Sequence, residues 1–210
     1  MVASNTRVVL DDTRQKLLDA ALRQFAERGF YGASIAQIAG EVGLTKQALL
    51  YHFRRKEDLY SEVLKDISQR LQSAMETHVD PDKPPIEQFE DMMIGFYEVA
   101  QANPLDTRVL MRELLDDQRR EAPSEEWHLK HTLDRIVATL NRIEGVAELP
   151  FAQKFARIYT AVSAIEFFIG SNLVLKRFYG EEEFAQIREA YPHELRVMVR
   201  QIIEGGTSLV

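Results

Sequence analysis

The residues best equipped for chemistry in this sequence are cations. Between Thr45 and Lys56 stand Lys46, Arg54, Arg55 and Lys56, with His52 and no acid among them. Such a run draws a polyphosphate, because each ammonium or guanidinium that neutralises a phosphate releases condensed counterions. The competing reading is the solvated end of a helix. The net charge of the 210 residues is −7, which taken alone argues against nucleic acid, but the charge is segregated. Residues 1 to 60 carry nine lysines and arginines against seven acids, a net +2, and the remainder carries −9.

Catalytic or metal-binding constellations are harder to find. There is no cysteine, so thiolate nucleophiles, thiolate metal sites and disulfides are excluded, which fits a reducing cytoplasm. Asp116 and Asp117 are adjacent carboxylates, but Arg119 and Arg120 stand where a hard cation would need further oxygens. His128 and His131 lie one turn apart beside Glu125 and Glu126; without a third placed ligand they read as a solvated helix face. The expectation is therefore no catalytic residue, no metal and no cofactor. No window reaches the roughly 18 uninterrupted apolar residues of a membrane helix, so the chain reads as cytoplasmic, with no membrane partner.

The elements that must position the cations are helical, since apolar residues recur at three and four rather than at two. Asp11 or Asp12 can cap a first helix carrying Leu17, Leu18, Ala21, Leu22 and Phe25, with Gly29 at its end. Ser34 caps a short second helix with Ile35, Ile38 and Ala39 inward, and Gly43 supplies the positive φ of a tight turn. Thr45 caps a third, on which Leu49 and Phe53 share the inner face and Lys46, Gln47 and Leu50 another. A fourth begins near Lys56 and carries Leu59, Val63, Leu64, Ile67 and Leu71. Two short helices around a glycine turn, the second opening on a hydroxyl cap and a basic first turn, suit a helix-turn-helix in the major groove. Lys46 can donate to guanine and Gln47 can pair with adenine. Ser34 and Thr45 fit two roles, helix cap and phosphate contact, and Tyr51 and His52 fit phosphate contact or half-buried packing.

Residues 13 to 64 resemble the N-terminal domain of the tetracycline-repressor (TetR) family. The resemblance is carried by the Ala21-Leu22 to Gly29-Phe30 run, Ser34, Ile38-Ala39, Val42-Gly43, then Leu49, Tyr51-His52-Phe53 and Lys56-Glu57. It implies an all-helical homodimer, a three-helix DNA-binding head, a larger helical effector domain and repression relieved by ligand. It also implies that Ser34, Thr45, Tyr51, His52 and Lys56 grip phosphates while Lys46 and Gln47 read bases. Leu50 and Gln47 depart from the family's usual tyrosine and glycine.

Past Pro81-Asp82-Lys83-Pro84-Pro85, read as a hinge after Asp80, three further helices are expected over 86–102, 105–120 and from Trp127. Their aromatic and Met stripe is plain core or the wall of an apolar effector pocket, with Phe89, Met93, Phe96, Tyr97, Leu110, Leu114 and Trp127 as candidates. A helix over 151–176 is apolar around its circumference and needs covering on two sides. Paired with a helix over 192–204 it makes a dimer interface, with Ile158, Val162, Ile165, Ile169, Met198 and Ile202 as candidates. An intramolecular bundle in a monomer is the alternative. The reading as a whole is an all-α chain with a helix-turn-helix domain over 11–56 and an effector and dimerisation bundle over 57–204. Its expected function is ligand-responsive transcription regulation on a palindromic duplex operator, most simply as a repressor released by a small apolar molecule.

Overall fold

A computed structural model describes residues 2–115 and 128–205, with side chains over 12–115 and 130–205; among them every regular element is an α-helix. The helices are α1 (Val2–Gly32), α2 (Ile35–Glu41), α3 (Lys46–His52), α4 (Lys56–His78), α5 (Pro85–Ala102), α6 (Pro104–Leu115), α7 (His128–Leu140) and α8 (Phe151–Glu204). The chain divides into two compact units, Met1–Ile67 with Arg108–Glu126, and Ser68–Thr107 with Trp127–Val210.

In the first unit the apolar stripe of α1 is buried as its spacing requires, with Leu17, Leu18, Ala21 and Phe25 at 3% exposure or less. One expectation for this helix is corrected. It does not start at Asp11 or Asp12 but runs from Val2, and Asp12 spends its carboxylate on Lys16 one turn on, at 2.6 Å. Its expected end holds: the helix breaks at Gly29, with φ 69°, and a further short turn reaches Gly32. What holds that break is remote in sequence. The Arg112 guanidinium, on α6, donates from Nε to the Ala26 carbonyl at 3.1 Å and from Nη2 to the Glu27 carbonyl at 3.0 Å. A cation on the last carbonyls of a helix satisfies acceptors that have no partner within it.

The second unit is organised by α5 packed along α8. Phe89, Met93, Phe96, Tyr97 and Ala100 bury one face of α5, and Ile158, Ala161, Ile165, Phe168 and Ile169 bury the facing stripe of α8. Each such side chain contributes about 1.5–3 kcal/mol when taken from water. Two buried acids of α5 are neutralised from α8: Glu90 by Arg200, Nη2 at 3.1 Å, and Asp91 by Arg196 at 2.8 Å, with Lys83 also on Asp91 at 2.7 Å. Breaking either pair would leave an uncompensated charge in the core. The loop through residues 80–85, expected to be a hinge between domains, lies wholly inside this unit, and α5 opens at its last proline. Pro85 sits where a missing N–H costs nothing. The two expected C-terminal helices are the two segments of α8, which breaks at Gly180 with φ 84°.

One polar group of the second unit has no visible compensation. Glu166 on α8 is 6% exposed, and neither carboxylate oxygen has a hydrogen-bond partner among the described residues. Burial pushes its pKa up to about 7; the Thr107 hydroxyl beside it pulls the other way, and the Asp106 carboxylate adds to the rise.

Candidate nucleic-acid interface

The turn between α2 and α3 is built by backbone geometry that its residues permit. Leu44 N donates to the Ala39 carbonyl at 2.9 Å and Gly43 N to the Gly40 carbonyl at 3.1 Å, with Gly43 at φ 71°. This paired 6→1 and 5→2 closure is a Schellman end, which needs a residue in the left-handed region at the position Gly43 holds. The chain then turns into α3, whose first orphan donors meet Thr45: its hydroxyl accepts from Ala48 N at 3.2 Å. Ser34 occupies the corresponding place before α2 in extended backbone, yet its hydroxyl makes no capping bond, so the cap expected of it is absent.

Anchoring and presentation divide α3 cleanly. Leu49 and, just past the helix, Phe53 are buried at 0% and 3% exposure, with the Arg14 guanidinium 5.0 Å over the Phe53 ring and paired to Glu62 at 2.6 Å. Lys46 and Gln47 are exposed on the opposite side. Tyr51 is 81% exposed, which removes the packing role weighed for it, while half-buried His52 meets the Tyr51 ring edge-on at 5.6 Å. A short helix therefore offers two long polar side chains from its first turn and a phenol from its last.

The cations after α3 are not equivalent. Arg55 is neutralised by Asp58, whose carboxylate accepts from its guanidinium at 2.8 Å and from its backbone N at 3.1 Å, the second bond capping α4. Lys56 is held over the Phe30 ring at 4.7 Å and donates to the Tyr31 carbonyl at 3.5 Å. Partial burial lowers its pKa, an effect Glu57 opposes. Arg112, Phe30 and Tyr31, which hold the end of α1 against this corner, were missed in the sequence. The bond from Arg112 to Ala26 spans 86 residues and leaves no local signal.

The remaining site candidates are dispersed. Phe89, Met93, Phe96 and Tyr97 sit in the core of the second unit at 4% exposure or less, whereas Leu110 and Leu114 belong to the first; Leu110 is buried and Leu114 is 52% exposed, not inward. Trp127 lies outside the described residues, as do Asp116, Asp117, Glu125 and Glu126. Of the interface candidates, Ile158, Ile165 and Ile169 face the protomer's own core at 0–3% exposure, with Val162, Met198 and Ile202 half-buried. Among the large apolar residues that α8 leaves exposed are Tyr159, Phe167, Val174 and Phe178, at 47%, 69%, 46% and 74%, along with Phe151, Leu173, Tyr179 and Val197.

Residues 17–63 match the family described as bacterial regulatory proteins, tetR family. The chain is 40% identical over 62 residues to the HTH-type transcriptional regulator AcrR of Shigella flexneri, covering 30% of this chain and 29% of that protein. It is 29% identical over 126 residues to an HTH-type transcriptional repressor of Streptomyces coelicolor, covering 60% and 62%. The matches thus span less than two thirds of these relatives. A TetR family transcription regulator of Marinobacter aquaeolei has the same fold, with a TM-score of 0.71 at 18% identity over 93% of this chain and 97% of that one. Fold and turn together define an all-helical protein with an N-terminal helix-turn-helix domain and a C-terminal helical domain. It is through residues 17–63 of that N-terminal domain that the chain is similar to the tetR family.

Proposed function

We propose that the chain is a homodimeric transcription regulator, most simply a repressor, that binds a palindromic duplex operator and is released by a small apolar effector. The observation that carries the reading is the division of labour on α3, with Leu49 and Phe53 holding it from below while Lys46, Gln47 and Tyr51 project outward from a Thr45-capped start. Lys46 and Gln47 read base edges; Thr45, Tyr51, His52 and Lys56 hold phosphates, and Ser34, whose hydroxyl makes no capping bond, joins them. The match of residues 17–63 to a family of bacterial regulatory proteins supports the same assignment, and the protein works where that DNA is, in the cytoplasm.

The dimer rests on the open face of α8. Tyr159, Phe167, Val174 and Phe178 recur at four, seven and eight residues, one stripe of a helix, with small Ser163 and Gly170 between them. A second copy covers such a stripe by an isologous contact, which sets two recognition helices about one DNA turn apart or somewhat more. Part of α8 is also long and apolar enough to cross a membrane by length and composition alone, and 33% of that window is buried within the protein. Effector binding acts through α4, whose residues 56–67 fall in the first unit and 68–78 in the second, by shifting the population of head separations.

The test is a gel-shift salt series on fragments of the source genome. Binding whose log affinity falls linearly with log salt is expected. No binding to any fragment at low ionic strength, with and without added metabolites, would overturn the reading. Distance spectroscopy between spin labels on the two heads tests the mechanism: an effector that lowers DNA affinity at constant separation excludes it.

A further inference from the structure

We propose that the first unit holds a ligand site of its own, a cavity at the end of α1 that takes a small amphipathic carboxylate. The cavity has a volume of about 430 Å³ and is walled by Arg28, Phe30 and Tyr31 of α1, Tyr60 of α4, and Met111 and Arg112 of α6. That is within the size of small-molecule sites, which join an apolar lining to a few placed polar groups. Phe30, Tyr60 and Met111 supply the apolar wall, and Leu115 and Tyr31, 74% and 53% exposed, extend it to the mouth.

The charge of the lining selects the ligand. Among the described residues it contains two guanidinium groups and no acid. Glu113, the next residue along α6, accepts the Tyr60 hydroxyl at 2.8 Å and stands outside the lining. Arg112 uses Nε and Nη2 on the α1 carbonyls, while its Nη1 has no hydrogen-bond partner among the described residues and lies 3.3 Å from where a Cβ on Gly29 would stand. A guanidinium has five donors in a planar fork, so this one can hold α1 and still receive a carboxylate. Gly29 keeps the approach open because it has no side chain.

Occupancy of this site reaches the candidate DNA contacts over a short path. The turn 29–32 that Arg112 steadies also supplies the Phe30 ring and the Tyr31 carbonyl that hold Lys56. A carboxylate on Nη1 shares the guanidinium that holds Ala26 and Glu27, weakens those two bonds, loosens that turn and with it Lys56, and DNA affinity falls. This last consequence rests on the proposed function; ligand binding itself does not.

Decanoate, below its micelle concentration, is the probe, with decanol and decyltrimethylammonium as chain-matched controls on the full-length protein. Calorimetry should give one saturable site for decanoate, with decanol and the Arg28→Gln variant each about tenfold weaker, the loss of one charged hydrogen bond. In protein labelled with ¹³C at methionine methyls, decanoate should move the Met111 signal, assigned by its loss in Met111→Leu. Met111→Trp should fill the cavity and abolish binding. Arg28 is exposed, so Arg28→Gln tests the site even if the tryptophan variant fails to fold. Equal binding of decanol and decanoate, an unmoved Met111 methyl, or unchanged affinity in Arg28→Gln would overturn the site. Decanoate should also weaken operator binding of the wild type and not of Arg28→Gln; an unchanged gel shift at saturating decanoate would overturn the coupling. A protein that binds decanoate but no DNA fails the proposed function instead.

Discussion

The Lys56 ammonium lies 4.7 Å from the centre of the Phe30 ring and donates to the Tyr31 carbonyl, so the first residue of α4 is tied to the last turn of α1. A cation over an aromatic face keeps its charge while giving up part of its hydration. Lys56 is thereby placed before any phosphate arrives, and little side-chain entropy remains to be lost on contact.

Lys56→Ala is accordingly expected to weaken DNA binding evenly across operator variants and to reduce the salt slope by about 1. Gln47→Ala should instead flatten preference at one base pair, by about 1–3 kcal/mol, with the slope unchanged. Binding-site selection at two salt concentrations measures both, and the opposite pattern would exchange the two roles.

The Schellman turn makes Gly43 a stability determinant with no packing component. A Cβ added there meets nothing within 4 Å, so Gly43→Ala acts only through its φ of +71°. A loss of about 1–2 kcal/mol is expected in urea unfolding, the cost of a left-handed L-residue. An unchanged midpoint would mean that the α2–α3 turn relaxes.

The buried Glu166 predicts a stability that falls with rising pH. Its folded pKa, near 7, exceeds its ordinary value of 4.5, so between these the folded chain holds a proton that the unfolded chain has lost. Stability declines across that window and levels off above about pH 7, by up to about 3 kcal/mol. His78 tilts the curve the same way: its bonds to the Ala74 carbonyl and Glu98 raise its pKa, and their contribution fades as pH rises. Glu166→Gln isolates the carboxyl, and the variant should outlast the wild type in thermal melts at pH 8 and match it near pH 5. Parallel pH profiles would count against a neutral Glu166.

Two substitutions on neighbouring residues of α8 separate its faces. Phe167→Glu, on the open stripe, should halve the mass seen in sedimentation with little change in protomer fold. Ile165→Ala, at 0% exposure, should cost about 2–5 kcal/mol of stability and leave the assembly intact. Dissociation caused by the isoleucine change instead would return the seam to the inner face.

Much of the fold was legible from periodicity. The stripes of α1, α4 and α5 follow from apolar residues at three and four, and Gly43 and Thr45 are signals whose meaning is local, since a turn or cap is decided within five residues. The silence of Ser34's hydroxyl and the neutralisation of Arg55 by Asp58 were less legible, because both depend on which of several nearby bonds forms. Which residues of α8 turn toward α5 was not legible for a related reason. A helix apolar on all sides has no polar stripe to orient it, so only the position of α5 shows that Ile158, Ile165 and Ile169 turn inward.

By itself the sequence determined that the chain is helical, that its cations gather around Thr45 to Lys56, and that a glycine turn precedes a hydroxyl cap. These properties depend on residues within one or two turns of each other. Tertiary structure alone decided that Arg112 closes the end of α1, that Glu166 is buried, and which side of α8 is open. Contacts between distant residues depend on how helices pack, and spacing along a single helix holds no record of its neighbour.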